Sequence, residues 1–131
     1  MINFKISELI YSDIASKNKI DNMPDINSLD NLLNLIVCCL QPIRELIKKP
    51  ILITSGYRSK KLNEVVGGKF NSLHLFGCAA DFMVVGLKPS KIISLIESSD
   101  IDFDQLINEH EKWVHVSYVK EHNRKQILYI K

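Results

Sequence analysis

Between Ser28 and Pro50, apolar residues recur three and four positions apart: Leu29, Leu32, Leu33, Ile36, Leu40, Ile43, Leu46 and Ile47. That spacing lays one apolar stripe along a helix opened by Ser28, and the stripe must be covered by something else in the chain. Pro42 lies inside the pattern and predicts a kink or a division there. Lys48 and Lys49 suit the C-terminal end, and Pro50 stops the helix. The adjacent Cys38 and Cys39 read as small buried hydrophobes within it. With Cys78 they are the only cysteines, too few for a disulfide framework or a Cys-only metal site.

The cover has to come from the rest of 131 residues, enough for one domain with its own core. Ahead of the long helix, Ser7 can cap a short helix over Glu8 to Ser16, and Lys17 to Asn27 is polar and turn-rich. After it, Ile51 to Thr54 reads as a strand. Ser55 to Leu75 is irregular, with one helical turn near Lys60 to Val65; a loop that long usually serves function. Cys78 to Val85 reads as a strand, and Pro89 or Ser90 opens a helix burying Ile92, Ile93, Leu95 and Ile96. Strands follow near Phe103 to Glu109, Trp113 to Val119 and Gln126 to Ile130. Helices early and strands late predict an α+β fold with an antiparallel sheet.

Seventeen Lys and Arg stand against fifteen Asp and Glu, a net charge of +2. The basic residues are scattered and Arg124-Lys125 is too short a patch, so no nucleic-acid partner is expected. No stretch approaches about 18 unbroken apolar residues, so no membrane span is expected. Met1 to Ser16 lacks the basic, apolar, small-residue order of a secretory signal. The expectation is a monomer made in the cytoplasm.

Three segments carry residues suited to chemistry. In Ser72-Leu73-His74-Leu75-Phe76-Gly77-Cys78-Ala79-Ala80-Asp81, two metal-competent groups stand seven apart. Gly77 between them argues for a turn entering a strand, with both groups at its mouth. In Trp113-Val114-His115-Val116-Ser117-Tyr118, strand alternation sends His115 to the face opposite the valines. Two imidazoles and a carboxylate with an open fourth position form the pattern of a catalytic zinc site. His110-Glu111 with His115 resembles the helical H-E-x-x-H motif, but one residue too long. On a helix those histidines stand about 140° apart, and the segment reads as strand. Third, Arg58 follows a strand and a Gly turn, where its fork can meet a carboxylate or a developing oxyanion.

A general base has two candidates. If residues 110–112 form a hairpin loop, Glu109 lies opposite Trp113 and Ile107 opposite His115, placing Glu109 diagonally beside His115. If the loop is 111 and 112 alone, Glu109 faces the other side. Glu111 is the second candidate.

Together the segments resemble the M15 family of zinc peptidases. The motifs are Ser55-Gly56-Tyr57-Arg58-Ser59, Leu62-Asn63, Gly67-Gly68, Ser72-x-His74-x-x-Gly77-x-Ala79-x-Asp81 and Trp113-Val114-His115-Val116-Ser117. Phe4, Ser7-Glu8-Leu9 and Pro42-Ile43-Arg44-Glu45 extend the likeness over nearly the whole chain. The nearest branch is the short one of D-Ala-D-Ala carboxypeptidases and peptidoglycan L,D-endopeptidase-like enzymes from bacteria and phage.

The resemblance implies a hedgehog/DD-peptidase-like fold over a single domain, residues 1–131. Its antiparallel sheet would carry helices on one side and an open zinc site. It implies one Zn2+ per chain, with His74, Asp81 and His115 as ligands. Arg58 would bind substrate or stabilise the oxyanion, and Tyr57 and Ser72 would line the site. Many family members place the base three residues before the last histidine, where this chain has Lys112. The hedgehog-like arrangement places it six before, which is Glu109, with Glu111 the runner-up. The implied activity is hydrolysis of peptidoglycan stem peptides, in cell-wall lysis or remodelling or as a phage endolysin. Delivery to the wall or periplasm would then need an outside agent, such as holin-type release. The alternative is a zinc-binding recognition or assembly module of the same fold without catalysis.

Overall fold

A computed structural model describes all 131 residues. The chain opens with two short helices, α1 (Ile6–Ile10) and α2 (Asp13–Lys17), where the sequence suggested one. The break falls at Ser12, whose hydroxyl accepts from the Ala15 amide at 3.1 Å and so caps a new helix. Helix α3 (Ile26–Leu35) starts ahead of Ser28, because Asp25 is the cap and accepts from the Ser28 amide at 2.7 Å.

From α3 the chain continues through a π-helical turn, Ile36–Leu40, into α4 (Gln41–Ile47). This is how Pro42 is accommodated. Its ring would press on the carbonyl of Cys38 in a regular helix, and the wider turn relieves that. The Gln41 amide bonds five residues back, to Ile36 O. Along this run Leu35 and Cys39 are buried, while Leu33 and Leu46, expected in the buried stripe, are exposed. Cys38 is exposed too, against expectation. By length and composition the helix from Ile26 to Ile47 suffices to cross a membrane. Its buried side is packed into the core.

The remaining elements are β1 (Leu52–Ser55), α5 (Lys60–Val65), a 3-10 turn (Leu73–Phe76), β2 (Ala79–Met83), α6 (Pro89–Glu97), β3 (Gln105–Glu109), β4 (Trp113–Ser117) and β5 (Gln126–Ile130). The strands form one sheet in the order β1-β2-β4-β3-β5. Contrary to expectation the sheet is mixed, since β5 pairs parallel with β3. The cause is the short connection after β4. Strand β4 runs antiparallel to β3 and ends where β3 begins, so a chain returning beside β3 must run in its direction. The return is pinned by the amides of Lys125 on Phe103 O (3.0 Å) and Gln126 on Asp104 O (2.9 Å).

Alternation gives the sheet two faces. Ala80, Phe82, Leu106, Val114 and Val116 face the helices and join Leu32, Leu40, Ile43, Ile92 and Ile93 in one buried cluster. Asp81, Ile107, Glu109, Trp113 and His115 alternate with them.

Candidate active site

Strand pairing brings the predicted residues together. Asp81 on β2 pairs with His115 on β4, and His115 pairs in turn with Ile107 on β3. Glu109 pairs with Trp113, so the hairpin takes the three-residue form and Glu109 is the diagonal neighbour of His115. His74 arrives from the 3-10 turn. Ser72 caps that turn, its hydroxyl accepting from the His74 amide at 3.2 Å.

One ligand atom from each of His74, Asp81 and His115 lies within 4.8 Å of the others. His115 Nδ1 is 2.9 Å from Asp81 Oδ1, and His74 Nε2 is 3.5 Å from Asp81 Oδ2. Ligands about 2.0–2.1 Å from a tetrahedral zinc stand roughly 3.3 Å apart, so small side-chain adjustments would let the three share one ion. The donor chemistry also fits. His74 Nδ1 lies 2.7 Å from Gly56 O, which can only accept. Nδ1 therefore donates to Gly56 O, and Nε2, which faces Asp81, is the nitrogen left for a metal; an outer carbonyl of this kind orients a metal-binding histidine. Burial alone would raise the Asp81 carboxyl, but the hydrogen bonds and charge of His115 and His74 outweigh it and hold it well below the usual range. Asp81 is thus an anion at neutral pH.

The cluster opens into a cleft of about 690 Å3 lined also by Arg58, Ser72, Glu109 and Trp113. Arg58 Nη2 stands 3.6 Å from Asp81 Oδ2. Burial pulls its guanidinium below its ordinary value, with Asp81 opposing, and it remains a cation. Lys69 and Asn71, from the loop before His74, and Asp104 complete the walls with Val119, Arg124 and Ile130 from the C-terminal return.

Two expected residues sit elsewhere. Tyr57 lines an adjoining groove of about 820 Å3 between β1 and the first helices, which shares Arg58 but neither histidine. Glu111 is at the hairpin tip with φ 55° and accepts from the Ser90 amide at 2.7 Å, tying the tip to the start of α6. His110 precedes it with φ 59°, its ring edge-on to Trp113 at 5.9 Å, so these two residues form a turn and not a zinc helix.

A family model described as Peptidase M15 matches residues 2–117. The chain belongs to the M15 peptidase family. Among curated proteins, none matches it. Membership implies a peptidase acting on a peptide substrate, in a family that depends on zinc. The match ends at the last residue of β4, so three wall residues of this M15 chain lie beyond it.

Two buried polar groups with no role of their own in the sequence reading, Asn22 and Asp104, support the M15 cleft. Asn22 Nδ2 donates to Ile10 O (2.7 Å) and Tyr57 O (3.0 Å), while Oδ1 accepts from the Ser59 amide at 2.7 Å. It clasps α1 to the loop that carries Arg58. Asp104 takes Arg124 Nε at 2.9 Å and Nη2 at 2.8 Å, fixing the C-terminal wall. Neither had a local signal: one is an Asn in a turn-rich stretch, the other an acid paired with a residue 20 positions away.

Proposed function

We propose that this chain is a zinc metallopeptidase of the hedgehog/DD-peptidase fold that hydrolyses peptide bonds in peptidoglycan stem peptides. The observation that carries the reading is the convergence of His74, Asp81 and His115 at the floor of a cleft that also holds Arg58 and Glu109. Bound there, zinc would supply Lewis-acid polarisation and a water of lowered pKa. The chain's own residues supply the rest. Glu109, beside His115 and with no hydrogen bond to another side chain in the structure, takes the proton of the attacking water and returns it to the leaving nitrogen. Arg58 faces the carbonyl oxygen as it gains charge; losing one such donor commonly costs about 10²–10³ in rate. Ser72 acts by holding the turn of His74, and Lys112, exposed at the hairpin, plays no part. Glu111 is set aside as base because its carboxylate is spent on α6.

The experiment is zinc content together with turnover of stem peptides. Wild type should hold one zinc per chain and cleave. His74→Ala and Asp81→Ala should lose zinc, and Glu109→Ala should keep zinc and lose turnover. Full activity in Glu109→Ala would overturn the base assignment. Retained zinc with no cleavage of any wall peptide would leave a non-catalytic zinc module of the same fold.

A further inference from the structure

The Arg58 fork is held on two of its three nitrogens. Nε donates to Ser55 Oγ at 3.2 Å and Nη1 to Asn63 Oδ1 at 3.1 Å, which leaves Nη2 facing Asp81. Asn63 is 3% exposed, and both ends of its side-chain amide are bonded. Its Nδ2 donates to Lys69 O at 2.9 Å, and its own carbonyl accepts from the Gly68 amide at 2.9 Å. It therefore closes the loop from 63 to 69 on itself and spends its remaining oxygen on Arg58.

Gly68 completes the arrangement by absence of a side chain. An ideal Cβ there would stand 2.1 Å from Asn63 Oδ1 and 2.8 Å from Arg58 Nη1. The requirement is space, since both atoms are held by the bonds just described. An amide suits position 63 for a chemical reason. Lys69 O only accepts and Arg58 only donates, so the residue between them must do both. An aspartate could not donate to Lys69 O, and its charge would pair off the guanidinium.

We propose that Asn63, backed by Gly68, is the positioning residue for Arg58: it aims Nη2, which makes no hydrogen bond and only the 3.6 Å ion pair with Asp81, at the place where the scissile carbonyl oxygen gains charge. This rests on the peptidase reading above. The same residue fixes the loop that carries Lys69 into the cleft wall, so the direction of Arg58 and the shape of that wall are set together.

The test is a double-mutant cycle on the zinc-loaded protein, with zinc content and the 15N spectrum of the Arg58 Nε–H recorded alongside. Asn63→Ala should lower kcat by about 10–100-fold, the size of effect that losing an outer partner has at a metal ligand. In an Arg58→Ala background the same change should cost nothing further. Zinc content should hold in all variants. The Arg58 Nε–H signal, identified by its loss in Arg58→Ala, should be resolved in wild type and broaden away in Asn63→Ala. An equal cost in both backgrounds, or an unaltered Nε–H signal, would overturn the proposal. If Asn63→Ala fails to fold, Gly68→Ala crowds the same pair and should give the same kinetic and spectral result. If the wild type cleaves no peptide, the peptidase reading falls, and the Nε–H signal still decides whether Asn63 positions Arg58.

Discussion

Gly56→Ala tests how the fold reaches the site. An ideal Cβ at 56 would stand 2.2 Å from Leu9 O and 2.8 Å from Leu9 C and Cα, all backbone of α1. The Tyr57 amide donates to that same Leu9 O at 2.7 Å, so α1 cannot retreat without breaking the bond. The lost bond costs about 1 kcal/mol net. Forcing a methyl into a packed contact costs about 1–3 kcal/mol more. The sum, about 2–4 kcal/mol, is a large share of a total stability of about 5–15 kcal/mol. At about 4 °C per kcal/mol for a chain of this size, Tm should fall by about 8–16 °C. The second effect is on the metal. Gly56 O accepts from His74 Nδ1 at 2.7 Å, and a strand end pushed away from α1 carries that oxygen with it. Loss of an outer partner should weaken zinc binding about 10–100-fold. Circular dichroism melts of the zinc-free protein measure the first effect, and competition against a chromophoric chelator measures the second. Wild-type Tm and zinc affinity in Gly56→Ala would refute the reasoning; a lowered Tm with unchanged affinity would refute its second half.

Two further outcomes separate residues that hold the fold from those that act in the cleft. Glu111→Ala should lower Tm by releasing the hairpin tip from Ser90, and leave zinc content and turnover as in wild type; lost turnover with intact Tm would make it the base after all. Asp104→Asn should destabilise the protein near neutrality. The Arg124 hydrogen bonds, against burial, lower the Asp104 carboxyl in the folded state. Its contribution is therefore fully present above the unfolded pKa of about 3.9 and lost as pH falls through the lower folded value. Melts from pH 7 to pH 2 should show the gap between wild type and Asp104→Asn closing on the acid side, and a constant gap would contradict that account.

The site was more legible in the sequence than the fold around it, for physical reasons. Taken singly, His74, Asp81 and His115 read equally well as structural or solvated groups; their combined motifs, with the likeness to the M15 family, single them out, and the glycine turn and strand alternation only limit where their side chains go. The hairpin was ambiguous because its left-handed residues, His110 and Glu111, are not the Asn-Gly pair that marks such turns. Only the strand register could choose a face for Glu109. The parallel pairing of β5 depends on which edge a short return reaches, which no local pattern encodes. The π-helical turn answers Pro42, whose presence predicts disruption without its form. Asn63 belongs to a motif visible in the sequence, but its role and that of Asn22 lie in partners that only folding brings close.

The proposed function has zinc at this cluster, with Glu109 as base, cutting peptidoglycan stem peptides. It is tested most directly by mass spectrometry of purified peptidoglycan incubated with zinc-loaded wild type and zinc-loaded Glu109→Gln. The account predicts stem-peptide fragments cut at one defined bond with wild type and none above background with Glu109→Gln. Intact stem peptides with the zinc-loaded wild type, or the same fragments at the same rate from both proteins, would contradict it.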